Sequence, residues 1–244
     1  MTSVGLSVAI DNDLVIKACA YAIAGELWPD GERMGILDQA RFVAPKRLKR
    51  LSLRRPVQDA VRDFEKFLDA VELLNPTPAE VQLAAELEAK AVEVGLGGLD
   101  TGEAQLTAIV VQRGAQWLET GDKRAIAALD GLLDAVGWLA GIHNRVRCLE
   151  QVALEAFNRA PGPLASRICD EPEVDKALSY SFGCFSSSPP SDTEITEGLS
   201  SYIRSVRASA PRTLWSSVLP EKDGVRLAEA RDQTNVEDGS RTSG

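Results

Sequence analysis

The sequence predicts an α/β protein, with a parallel sheet covered by helices on both faces. Three observations carry that prediction. Short apolar runs at 7–10, 115–118 and 146–149 have the length of strands buried on both sides. Apolar residues at three- and four-residue spacing fill the intervals between them. Helix-start signatures open several of those intervals, as at Asp11-Asn12-Asp13 and Thr77-Pro78-Ala79-Glu80.

The elements follow in order. Ser7 to Ile10 reads as the first strand, stopping at Asp11, and Asp11-Asn12-Asp13 caps a helix running from about Leu14 to Gly25. Arg41 to Pro45 reads either as a second strand or as a short helix-to-loop passage. From Pro56 to Leu74, Val57, Val61, Phe64, Phe67, Leu68 and Val71 fall at helical spacing. Thr77 at N-cap, Pro78 at N1 and Glu80 at N3 open a helix that reaches Gly95. The next helix opens at Asp100 to Glu103 and runs to Gly114. Ala115 to Leu118 is then a strand ending at Thr120-Gly121-Asp122. A helix follows from Asp122 towards Val136, and Val146 to Leu149 is a last strand leading into a helix that closes near Asn158. Trp117, Trp138 and Phe157 read as core, whereas Trp28 and Trp215 lie in Pro-bearing stretches and read as partly exposed.

Composition changes after Pro161, which divides the chain into a domain at 1–160 and an appendage at 161–244. The appendage contains the linker-like Ser186-Ser187-Ser188-Pro189-Pro190. It also has one short amphipathic helix marked by Ile195, Leu199, Tyr202, Ile203 and Val206, and a polar tail, Thr234 to Gly244, expected to be disordered.

At 244 residues and 44% apolar composition the chain can bury a core without disulfide or metal staples. A net charge of −9 argues against coating nucleic acid or anionic membrane over the whole surface, but leaves room for a local basic groove. Neither a membrane span nor a signal peptide is apparent, so a soluble, cytoplasmic protein is expected. Cys19, Cys148, Cys169 and Cys184 are too scattered for a zinc site or a disulfide framework and read as buried or idle thiols. The single histidine, His143, has no nucleophile elbow near it, and no phosphate-binding glycine loop is present.

Carboxylates are the suggestive feature. In an open parallel sheet, ligands bind outside the carboxyl ends of the strands. Asp11 and Asp122 end two strands, and Glu103 opens the helix leading into the second of them. Acids converging on one crevice repel unless a cation holds them, and hard divalent ions take oxygen ligands. Metal-assisted phosphodiester hydrolysis is the chemistry this suggests. Each acid also has a structural role open to it: Asp11 and Asp122 as N-caps, Asp100 with Glu103 as a capping box.

Val8-Ala9-Ile10-Asp11-Asn12-Asp13, Leu99-Asp100-Thr101-Gly102-Glu103-Ala104 and Leu118-Glu119-Thr120-Gly121-Asp122-Lys123-Arg124-Ala125 resemble, in order and spacing, the PIN-domain nucleases. The resemblance covers about residues 5–145. It implies a Rossmann-like three-layer PIN-like fold and Mg²⁺- or Mn²⁺-dependent endoribonuclease activity, most often on single-stranded RNA. Asp11, Glu103 and Asp122 match the family's acids, as catalytic residues and metal ligands, with Asp13 supplementing Asp11 at the metal. The family usually adds a glutamate after its second strand. Here Lys46, Arg47, Lys49 and Arg50 occupy that region, and Glu26, Asp38 and Glu65 are the substitutes. Many relatives act as homodimers or are restrained by an inhibitory partner protein.

Those bases, with Arg54 and Arg55, read either as a phosphate-backbone strip or as a solvated face paired with acids of the 80–93 helix. Lys123 and Arg124 are a second phosphate-contact candidate. No aromatic interleaves with the bases, so base stacking is not expected. Two other functions compete. Asp11-Asn12-Asp13 also resembles the D-x-D signature of haloacid-dehalogenase-like phosphohydrolases. The missing fourth acid permits a catalytically degenerate PIN-like scaffold or binding protein.

Overall fold

Strand pairing organises the chain. The computed structural model describes residues 5–28 and 32–216, so the expected polar tail lies outside the described residues. Five strands, β1 (Val8–Ile10), β2 (Met34–Leu37), β3 (Glu72–Leu74), β4 (Trp117–Thr120) and β5 (Val146–Cys148), form one parallel sheet in the order β3-β2-β1-β4-β5. Ile10 lies opposite Glu119, and Thr120 opposite Cys148. β1, β2 and β5 are buried at every residue, as expected of strands covered on both faces.

The helices are α1 (Asn12–Tyr21), α2 (Ala24–Leu27), α3 (Ala40–Leu48), α4 (Val57–Ala70), α5 (Pro78–Glu93), α6 (Thr101–Arg113), α7 (Lys123–Leu132), α8 (Leu149–Arg159), α9 (Pro161–Asp170), α10 (Lys176–Ser181) and α11 (Asp192–Ser209). α1, α3 and α4 pack together, α8 and α9 continue that layer, and α5, α6 and α7 form the other. None among the described residues is long and apolar enough to cross a membrane. The caps explain where helices begin. Thr77 and Glu80 exchange hydrogen bonds in a capping box, as do Asp100 and Glu103. α6 stops because Gly114 takes a left-handed conformation, φ 67°, that favours glycine.

Several expectations need correction. The second strand is Met34–Leu37, and Arg41 to Pro45 lies inside α3. Gly35 hides β2 from a propensity reading, yet the position needs it: a Cβ there would lie 2.8 Å from Leu74 side-chain atoms. The helix expected through Leu74 ends at Ala70, and β3 follows without a turn signal. Trp28 is buried, packed on Phe67 with ring centroids 5.3 Å apart.

Residues 161–216 hold more structure than the single short helix expected there. They carry α9, α10 and the 18-residue α11, and Leu164, Ile168, Leu178, Leu199, Ile203 and Leu214 join the same hydrophobic core as the sheet. Leu214 also pairs in parallel with Val146 on β5. Cys169 and Cys184 are not idle thiols but form a disulfide, because the end of α9 and the turn after α10 fold back on one another. Cys19 and Cys148 are free and buried.

Candidate active site

β1 and β4 are neighbours in the sheet, but the chain leaves β1 towards β2 and returns to β4 only after β3. Such a reversal opens a crevice at the carboxyl edge. A cavity of about 570 Å³ lies there, and Asp11, Asp13, Asp100, Glu103 and Asp122 all line it. Three of these acids cap helices. Asp11 accepts from the Asp13 N–H at the start of α1, Asp100 from Glu103 N–H at the start of α6, and Asp122 from Arg124 N–H at the start of α7. Helix N-termini carry partial positive charge, so the fold gathers the ends that tolerate carboxylates best.

The acids differ in how their charge is balanced. Asp13 accepts from Lys17 Nζ at 2.8 Å and from Arg47 Nη2 at 3.1 Å. Lys17 also bonds Asp175 at 2.9 Å. Burial alone would lower the Lys17 pKa, but Asp175 and Asp13 outweigh it and hold the ammonium above its ordinary range. Burial would raise Asp122, whereas the Arg124 guanidinium and the N–H groups of α7 bring it below the usual carboxylate value.

Asp11 and Glu103 make no ion pair with a basic side chain among the described residues. Burial, reinforced by the Asp13 charge, pushes Asp11 up to about 6. Burial also pushes Glu103 up to about 8; the Asp100 N–H opposes it, and the charges of Asp100, Asp11 and Asp122 add to it. Asn12, which lines the same cavity, leaves its side-chain carbonyl oxygen buried with no hydrogen-bond partner.

Among the described residues, no three His, Cys, Asp or Glu side chains are gathered closely enough to hold a metal ion as they lie. Partners already in the fold are the reason: Glu103 turns back to Asp100 N–H, Asp122 to Arg124, and Asp13 to its two cations. The donor set nonetheless suits a divalent cation in kind, since it consists of hard oxygens. The raised Asp11 and Glu103 and the orphaned Asn12 oxygen are the groups such an ion would satisfy.

Gly121 makes the close packing feasible. A Cβ on it would lie 2.7 Å from Asp13 Oδ2 and 3.4 Å from Lys17 Nζ. The glycine in the Thr-Gly-Asp motif therefore gives room to the side-chain ends of Asp13 and Lys17, and its backbone does not need a positive φ.

Of the substitutes for a fourth acid, Glu26 pairs with Arg167, Asp38 pairs with Arg41, and Glu65 is exposed on α4. None lines the cavity; Asp100 does. Asp100 stands inside the quoted motif, but its capping role masked it. Lys17 was also missed, although its position four residues after Asp13 on a helix is a readable signal.

The basic residues separate in the same way. Lys46, Lys49 and Arg50 are exposed at α3 and just beyond it, and make no ion pair among the described residues. Among the described residues no ion pair links this segment to α5, where Glu80 instead holds Arg113. Arg55 is structural, bonding Asp63 and the Cys19 carbonyl. Lys123 turns from the cavity to the buried Glu150, with its ammonium 5.0 Å from the Tyr202 ring centroid. Arg124 stays at the cavity wall on Asp122.

No family model, no curated protein and no solved structure matches this chain.

Proposed function

We propose that the chain is a PIN-like nuclease that hydrolyses phosphodiester bonds, most readily in single-stranded RNA, with Mg²⁺ or Mn²⁺. The observation carrying this reading is the uncompensated pair, Asp11 and Glu103, among five carboxylates lining one cavity at the sheet's carboxyl edge. Glu80, Glu119, Asp130 and Glu150, buried elsewhere in the fold, each have a cation. Asp11, Glu103 and Asp122 would hold the ion. A bound divalent ion neutralises phosphate charge and promotes ionisation of water.

The chain's own residues do the rest. Glu103 holds a proton at neutral pH and must release it before it can act as a ligand. Asp11 titrates near neutrality and can exchange a proton with solvent inside the cavity. Lys17 and Arg47 fix Asp13, keeping one wall of the cavity in place. Arg124 and the bases of α3 offer phosphate contacts that position a strand without reading its sequence.

A binding-only scaffold is the second reading, favoured by one observation: Asp13 and Asp122 already have internal cations. A phosphohydrolase reading would need Asp13 free to trade protons, and its two ion pairs weigh against that.

Cleavage of a mixed-sequence single-stranded RNA with Mn²⁺ or Mg²⁺ tests the proposal, using the parent, Asp11→Asn and Asp122→Asn. Metal-dependent cleavage lost in both folded variants is the expected result. Cleavage that persists in both variants would refute this site. No cleavage of RNA or DNA by the parent would leave the scaffold.

A further inference from the structure

Helix α3 forms one wall of the carboxylate cavity, through Val43 and Arg47. Its core stripe is Ala40, Ala44 and Leu48, spaced four apart and fully buried. At 100° per residue, Phe42, Lys46 and Lys49 fall on the side opposite that stripe. Phe42 is 64% exposed, a large apolar ring held largely in solvent, with the Arg41 guanidinium 5.7 Å from the ring centroid. Phe42 precedes the run of bases in the sequence, and the helix brings it to the same face as Lys46 and Lys49. In a chain of net charge −9, this face combines a bare ring with cations that have no acidic partner.

We infer that this face of α3 is a base-stacking platform: a single nucleic-acid strand running from the carboxylate cavity lays one unpaired base on Phe42 and its phosphates along Lys46 and Lys49. The inference rests on the nuclease reading and sharpens it. Aromatic rings flanked by bases bind single strands because every base has a π-face, whereas a duplex keeps its bases stacked inside. Charge complementarity selects the occupant. An apolar partner would leave Lys46 and Lys49 unsatisfied, and a phosphate backbone meets them while releasing counterions.

Fluorescence anisotropy with a labelled single-stranded RNA of about 12 nucleotides, a length that spans such a site, tests this in EDTA, so that cleavage plays no part. Phe42→Ala weakens binding roughly 10-fold, the loss of one stacked base, and Phe42→Trp retains it. Phe42→Leu keeps apolar area but no π-face and behaves like Phe42→Ala. Lys46→Gln with Lys49→Gln flattens the salt dependence by about two phosphate contacts. Because Phe42 is exposed, its variants are expected to melt with the parent. Parent binding that is unchanged in Phe42→Ala, or equal for duplex and single strand, overturns the platform and leaves the nuclease reading standing. A parent that binds no nucleic acid in EDTA overturns the platform, and the nuclease reading is judged separately by cleavage with Mn²⁺ or Mg²⁺. Self-association of the parent that Phe42→Ala abolishes, seen by sedimentation, would make this face an interface between copies and overturn the platform.

Discussion

Two buried acidic regions adjoin β4, and the fold treats them in opposite ways. Within the strand, Glu119 is fully buried and its carboxylate accepts from Trp28 Nε1 at 2.6 Å. Burial pushes its pKa up on balance, and Arg147, 3.3 Å away, together with the Trp28 bond offsets part of that rise. Arg147 also pairs with Glu155, and its guanidinium lies 5.6 and 5.5 Å from the Trp117 and Trp215 ring centroids. At the strand's end the cavity holds Asp11 and Glu103 with no such cation. The first region spends a buried charge on tying strands and helices together. The second leaves its carboxyl groups without a cation and pushes their pKa values up, a state that costs stability and has value only if something from solution completes it.

The largest expected effect breaks the first region. Arg147→Met leaves Glu119 buried without its cation and should cost about 3–5 kcal/mol, on the order of 10 °C in melting temperature for a chain this size. Calorimetry or thermal circular dichroism reads it; a loss under about 1 kcal/mol would mean that the two regions differ less than their partners suggest. Next comes Glu103→Gln, which should reduce cleavage at least about 100-fold, the range for a lost acid–base or ligand group, while the variant stays folded.

The pH dependence of stability should then separate the two regions. The folded pKa values of Asp11 and Glu103 lie above those of an unfolded chain, about 3.9 and 4.3. The unfolded state thus loses these protons first as pH rises, and stability falls between about pH 4 and 8. Glu103→Gln should flatten the upper part of that decline, and Mn²⁺ should reverse it by binding the folded state. Equal slopes for parent and Glu103→Gln would contradict the raised Glu103 pKa. A smaller change is expected for Gly121→Ala. The intruding Cβ meets the flexible ends of Asp13 and Lys17, so stability should shift by about 1 kcal/mol or less while cleavage falls. Least affected should be Arg124→Ala, whose pair with Asp122 is exposed and screened by solvent, so its melting temperature should match the parent's.

The same contrast explains what could be read from the sequence. β1, β4, β5 and the capped helices were legible because apolar runs and N-cap residues are local signals, and Asp11, Glu103 and Asp122 stand beside them. β2 was not, since its Gly35 is chosen to accommodate Leu74 from another strand. Likewise the partners that separate Asp13 from Asp11 come from afar: Arg47 sits on α3, and Lys17 is held by Asp175, beyond α9. The Cys169–Cys184 disulfide closes the loop containing Asp175, and nothing in the cysteine spacing announced it. Local chemistry shows which acids are present, but only tertiary packing determines which remain uncompensated.

The pairing of Leu214 with Val146 has a bearing on how the chain is made. Val146 N–H donates to the Thr213 carbonyl at 3.2 Å, and Trp215 N–H donates to the Val146 carbonyl at 2.7 Å, so a late segment closes the outer edge of β5. Synthesis runs from the amino end, and β5 therefore emerges from the ribosome long before its cover. Through that interval an unpaired strand edge faces a crowd of nascent copies with the same edge. Chains halted after α11 should associate through β5 during translation, and full-length chains should not, a difference that pelleting of ribosome-bound products would reveal.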